Sequence, residues 1–344
     1  MTDTTLSAEP KRATHVLKGL EADNLLAFLA LLGLLRALDT ARPEWEPRSV
    51  WRGMPPQAEL HIASDVDRRE LMDQVNAGVR RLGEAYVSEE PLFDRANLKY
   101  APDEFRELAL RVRTDREQAR LVAALASDGA IRGDGQDQVE STPLCTMSGQ
   151  GHQCFLSRLS RMLTPASSGQ RNRSARPKRG RRDRSRRTKG DSPRDELAEA
   201  LFEPWRYDDR TESFRWDPIE DRRYAYQFGN PSEARNKIGT VSGANRLAAF
   251  GLAVLTSAPK ASGLATIGVF GSGRERSVCW PLVSVPTSLH GHVALLGHPY
   301  LGEEQRAPQL AQYGVLAVAR SHRYGVPGAA GTYFNFARAR IQYL

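Results

Sequence analysis

From Trp216 to Pro259 the chain reads WDPIEDRRYAYQFGNPSEARNKIGTVSGANRLAAFGLAVLTSAP, and its periodicity changes twice along that run. Arg223 to Phe228 alternates as a strand does, with Tyr224, Tyr226 and Phe228 on one face, and Gly229-Asn230-Pro231 ends it. From Ser242 the residues Leu247, Phe250, Gly251 and Val254 or Leu255 recur at helical spacing, and Pro259 lies just past their end. Strand, polar loop and helix in one run point to an α+β fold.

Toward the N-terminus the chain turns helical. Leu25 to Leu35 is an unbroken apolar run, with Asp23 placed to cap it, and a helix this hydrophobic on all sides is predicted to be buried. The run is shorter than the roughly twenty residues that span a bilayer. Lys11, Arg12 and Lys18 before it would also suit a signal peptide, but Arg36 and Asp39 stand where a small-residue cleavage site belongs. Val16 to Leu20 and Ala58 to Ile62 read as strands, and Trp45 to Pro56 as a connection. Helical spacing recurs over Arg68 to Leu82, Pro102 to Val112, Asp115 to Ala126 and His152 to Leu163.

Toward the C-terminus strands take over. Ala265 to Phe270 and Val278 to Val285 flank Gly271-Ser272-Gly273-Arg274 as a hairpin, and Gly314 to Gly325 and Thr332 to Tyr343 form a second. The expected organisation is a mostly helical part over 1–165, a basic linker over 166–193 and a sheet-rich part over 194–344, with the first part packed on the antiparallel sheet of the last.

The net charge of +8 sits in one place. Arg171 to Lys189 carries eleven Arg or Lys against one Asp, so the rest of the chain is close to neutral at about −2. That run holds almost no apolar residue and is expected to be disordered when free. It is either a grip on a phosphate backbone, through Arg179, Arg181, Arg182, Arg186 and Arg187 among others, or a low-complexity insertion. Three cysteines, Cys145, Cys154 and Cys279, argue against a disulfide framework and for a reducing, cytoplasmic setting.

Further candidate contacts lie in the folded parts. Asn245 and Arg246 fall in the first helical turn after Ser242, where free backbone N–H groups favour an anion. Arg274 and Arg276 flank a hairpin turn. With a period of two, Phe334, Phe336, Arg338 and Arg340 share one strand face, a stripe of rings and guanidinium groups on which bases can stack. Each also has a plainer reading, as a solvated charge or a packed ring. Cys145, His152 and Cys154 match no zinc module, and His290, His292 and His298 would place two imidazoles on a strand face without a carboxylate. No motif requires a cofactor or a metal.

LKGLEADNLLAFLALLGLLRAL at Leu17 to Leu38, LCTMSGQG at Leu144 to Gly151, WDPIEDRRYAYQF at Trp216 to Phe228 and GANRLAAFGL at Gly243 to Leu252 carry a family resemblance. Together they resemble proteins encoded in type I CRISPR loci of subtype G, formerly U: a large-subunit-like component of the surveillance complex, or an extension associated with its helicase-nuclease. The resemblance implies a non-catalytic accessory subunit whose partners are crRNA, target DNA and the other effector subunits, sequence being read by base pairing. It brings no catalytic motif. The alternative is a free-standing Mg²⁺-dependent nuclease or phosphotransfer enzyme using Asp217, Glu220 and Asp221, three carboxylates within five residues of WDPIED.

Overall fold

A computed structural model describes residues 12–132, 137–146, 154–164, 195–209, 213–220, 239–261, 263–328 and 331–344. At its centre lies helix α1 (Leu25–Ala41), buried from Leu25 through Leu38 without a break, as its all-round apolar sequence requires. Its cap is Asn24, not Asp23: the Asn24 side chain accepts the Leu26 N–H at 2.9 Å, and Asp23 is used elsewhere.

Glycines set how closely the neighbouring helices approach α1. Helix α7 (Ser242–Leu252) crosses it so tightly that a Cβ on Gly33 would overlap the Leu247 carbonyl, and one on Gly251 the Leu29 carbonyl. Helix α2 (Arg68–Glu84) meets α1 in the same way, with Gly78 against the Ala37 carbonyl. A charge is buried beside these crossings. Arg36 on α1 donates to the Phe250 carbonyl at 2.7 Å and pairs with Glu117 of helix α4 (Arg116–Leu125). The pair offsets part of the desolvation cost that an isolated guanidinium would impose.

Two main antiparallel sheets flank the helices. The first has the order β1 (Ala13–Glu21), β3 (Gln57–Ile62), β2 (Arg48–Arg52) and β10 (Thr287–Ser288). Strand β2 falls inside the stretch expected to be a connection; Arg48-Ser-Val-Trp-Arg52 is short and bounded by Pro47 and Gly53, so composition hid it. The second sheet has the order β12 (Gly331–Phe336), β11 (Val315–Gly328), β9 (Ser277–Val283) and β8 (Val269–Phe270), with β13 (Arg340–Tyr343) also paired to β11. The expected strand over 265–270 is interrupted by a turn at Ile267-Gly268, because Gly268 takes φ +77°. Two short ladders complete the β structure, β4 (Ala126–Ile131) with β5 (Val139–Ser141) and β6 (Ser257–Lys260) with β7 (Gly263–Thr266).

The fold is mixed α+β, helices weighted to the first half and sheet to the second. The parts expected on either side of 166–193 are joined by shared structure. Strand β10 completes a sheet otherwise built from the first half. Trp280 of β9 stacks on Phe28 of α1 at 5.5 Å and donates to the Ala22 carbonyl, so one apolar core runs through both halves. His290 and His292 are on helix α8 (Leu289–Leu296), not on a strand, and His292 is sealed in the core with its Nε2 2.8 Å from the Ser49 hydroxyl. Among the described residues no helix is long and apolar enough to cross a membrane.

Candidate nucleic-acid interface

The start of α7 is already occupied by one of the chain's own anions. Asp209 Oδ2 accepts the Ser242 N–H at 2.8 Å, in the position a phosphate would take. Asn245 is fully buried: its amide donates to Thr240 Oγ1 and the Val241 carbonyl, and its Oδ1 accepts the Phe214 N–H. Asn245 therefore presents nothing to a ligand, and its polar character serves the core. Arg246 is partly buried, with Nε sealed from solvent and without an acceptor; burial lowers its pKa and the Glu196 charge pulls it back up.

The C-terminal stripe does not survive the register. Arg323 pairs with Phe336 and Arg320 with Arg340, so three steps along β11 meet four along the opposite chain. One extra residue is accommodated near Ala337, where the Ser321 hydroxyl donates to the Ala337 carbonyl. A shift of one residue reverses which face every later side chain occupies. Phe334 and Phe336 thus share a face with Arg323, while Arg340 shares the opposite face with Arg320.

The charges of the stripe are also answered from within the chain. Arg338 Nη1 lies 2.8 Å and 2.9 Å from the two Asp23 oxygens and 2.9 Å from Glu21. Burial pulls the Arg338 pKa down, but Asp23 and Glu21 outweigh it and hold the guanidinium above its ordinary range. Arg338 sits at the wall of a cleft of about 600 Å³ with Lys18, Pro56, Trp205, Tyr207 and Ile219. Arg340 is exposed and lies 4.0 Å from Glu304.

Asp217, the first carboxylate of WDPIED, is turned inward. Asp217 is 1 % exposed, accepts Tyr207 Oη at 3.0 Å and the Ile219 N–H at 2.9 Å, and burial raises its pKa. Trp216 stacks on Phe214 at 4.5 Å and donates to the Leu144 carbonyl, so the motif latches the Leu144 turn to the body. The Glu220 side chain and Asp221 lie outside the described residues, as do the predicted strand at 223–228, His152 and the whole basic run with Arg179, Arg181, Arg182, Arg186 and Arg187. Cys145 is buried, and among the described residues no group of three His, Cys, Asp or Glu is placed to hold a metal.

Where the second sheet meets the small ladders, guanidinium groups do converge. Arg276 Nη2 lies 3.3 Å from Glu140 Oε1, and Glu140 Oε2 accepts the Leu264 N–H at 3.0 Å. The Arg276 carbonyl accepts the Arg323 N–H at 2.9 Å, which brings the two residues together. Arg323 lies over the Phe334 ring with Cζ 3.8 Å from the centroid. Burial, and after it the Arg276 charge, pull the Arg323 pKa down to about 10. Its Nε is sealed without an acceptor. Arg274 belongs by its backbone to the short turn of helix at Gly273–Glu275, beside this group; its side chain lies outside the described residues. Sequence reading passed over Arg323 because nothing local marks it. Only cross-strand pairing sets it against Phe334 and Arg276.

Fold and site together define an α+β protein with a cationic cluster at one end of its second sheet. Comparison with protein-family models, with curated proteins and with solved structures finds no match to this chain.

Proposed function

We propose that the chain is a non-catalytic accessory subunit of a type I CRISPR RNA-guided DNA interference complex, holding crRNA or target DNA together with neighbouring effector subunits. The observation that carries the reading is the segregation of charge: about +10 is confined to Arg171 to Lys189, while the remaining chain is near −2. A polyanion gains from such a run by counterion release, with an affinity that falls steeply as salt rises. The motif resemblance supports the particular setting. Its residues in α1 and α7 are those that make the close helix crossing, consistent with an architectural role.

Deleting residues 170–190 and titrating RNA and DNA oligonucleotides against salt tests the first part. The expected outcome is a loss of affinity and a flatter salt dependence. Purification from cells that hold the complete locus tests the second, with guide RNA and companion subunits expected to come down with the full chain. An unchanged salt slope in the first, or neither guide RNA nor subunit in the second, would refute the corresponding part.

A further inference from the structure

Arg323 brings a charge into a partly buried position and meets neither an ion-pair partner nor a side-chain hydrogen-bond acceptor among the described residues. A desolvated guanidinium left uncompensated costs stability. An apolar side chain would pack on Phe334 without that cost, so the charge needs another explanation. One face of the cation is covered by the Phe334 ring. Among the described residues Glu140 is the carboxylate of the group, and it is shared between Arg276 and the Leu264 amide. Counted over the described residues, two guanidinium groups and one carboxylate leave a single positive charge unmatched. It lies where Arg276 is close enough to depress the Arg323 pKa.

We infer that Arg323, stacked on Phe334 and flanked by Arg276, is a phosphate-binding position whose ligand is the phosphodiester backbone of a nucleic-acid strand. A phosphate suits it because its oxygens accept from two guanidinium groups at once, relieving their mutual repulsion and supplying the missing negative charge. The inference rests on the nucleic-acid reading above and adds a contact on the folded body to the one expected of the basic run.

The test is fluorescence anisotropy with labelled single-stranded RNA and DNA oligonucleotides over a range of salt. It uses the full chain, Arg323→Met, Arg323→Lys and the 170–190 deletion, with thermal unfolding of each. Arg323→Met keeps the packing on Phe334 and removes the charge. It is expected to weaken binding roughly tenfold and to lower the log–log salt slope by about one, while Tm holds or rises. Arg323→Lys keeps the charge and is expected to retain the slope while losing part of the affinity. If Arg323→Met leaves affinity and slope unchanged while the deletion lowers both, the inference fails and the broader reading stands. If Arg323→Met lowers Tm and binding falls only in step with the unfolded fraction, the residue is structural and the inference fails. If the full chain binds neither RNA nor DNA, reading and inference fail together.

Discussion

The seam between α1 and α7 and the end of the second sheet around Arg323 obey different rules. In the seam two buried polar side chains find their partners within the core: Arg36 in Phe250 and Glu117, and Asn245 in Thr240, Val241 and Phe214. At the sheet end the Arg323 Nε is sealed without an acceptor among the described residues, and the guanidinium leans on a ring. Cores are generally satisfied, and a departure from that rule marks a place where stability has been exchanged for something else. Polar residues of the seam should therefore matter to folding, and cations of the sheet end to binding.

The sharpest way to break that contrast is at Gly33. Gly33→Val drives a branched side chain into the Leu247 carbonyl and is expected to cost about 3 kcal/mol or more, or to prevent folding. Urea unfolding of the variant measures it, and a change below about 1 kcal/mol would mean the helices can part freely. Next, Glu117→Gln strands the Arg36 charge in the core. A loss of about 2 to 3 kcal/mol is expected, reduced from the fully buried case because Glu117 is partly exposed. Replacing both residues by apolar ones should recover most of it.

A pH titration addresses the same side of the comparison. Burial holds the His292 pKa down at about 4, below the ordinary 6.5 of an unfolded chain. The unfolded state therefore binds the proton first. The His292 contribution is complete above about 6.5 and is lost as pH falls toward 4, a drain of up to about 3 kcal/mol. His292→Gln should flatten stability against pH over that window. A parallel curve for variant and parent would show that His292 is protonated as easily in the fold as outside it.

The smallest effects belong to the C-terminal arginines, and they sharpen the other side. Arg338→Ala removes an exposed link to Asp23 and Glu21 and is expected to cost about 1 kcal/mol or less. Arg340→Ala should fall within about 0.5 kcal/mol. In oligonucleotide binding both should matter less than Arg323→Met, because Arg338 is already neutralised by two carboxylates. A larger loss from the Arg338 and Arg340 pair would restore the stripe as the binding face.

Helical segments were legible because their period is local. Leu71, Val75, Val79 and Leu82 announce α2, and the all-apolar run announces a buried α1, without knowledge of the rest of the chain. The strands were legible as strands but not as faces. Residues 332–343 alternate cleanly, yet one extra residue near Ala337 places Phe336 and Arg340 on opposite sides. The imidazoles of α8 were misread because Leu289 to Leu296 is too short for its period to separate helix from strand. Of the residues proposed for the site, Arg276 lies in the cationic cluster, Asn245 is in the core and Arg338 is answered by carboxylates, while no local pattern marks Arg323.

By itself the sequence determined the mixed α+β class, the central buried helix, most helix positions and the confinement of positive charge to one run, since each follows from composition or from spacing within a single segment. The tertiary structure alone decided that both halves share one core, that Asp209 fills the anion position at α7, and that Arg323 meets Phe334 and Arg276. Those outcomes depend on register and on contacts between residues far apart in the chain, which no local pattern encodes.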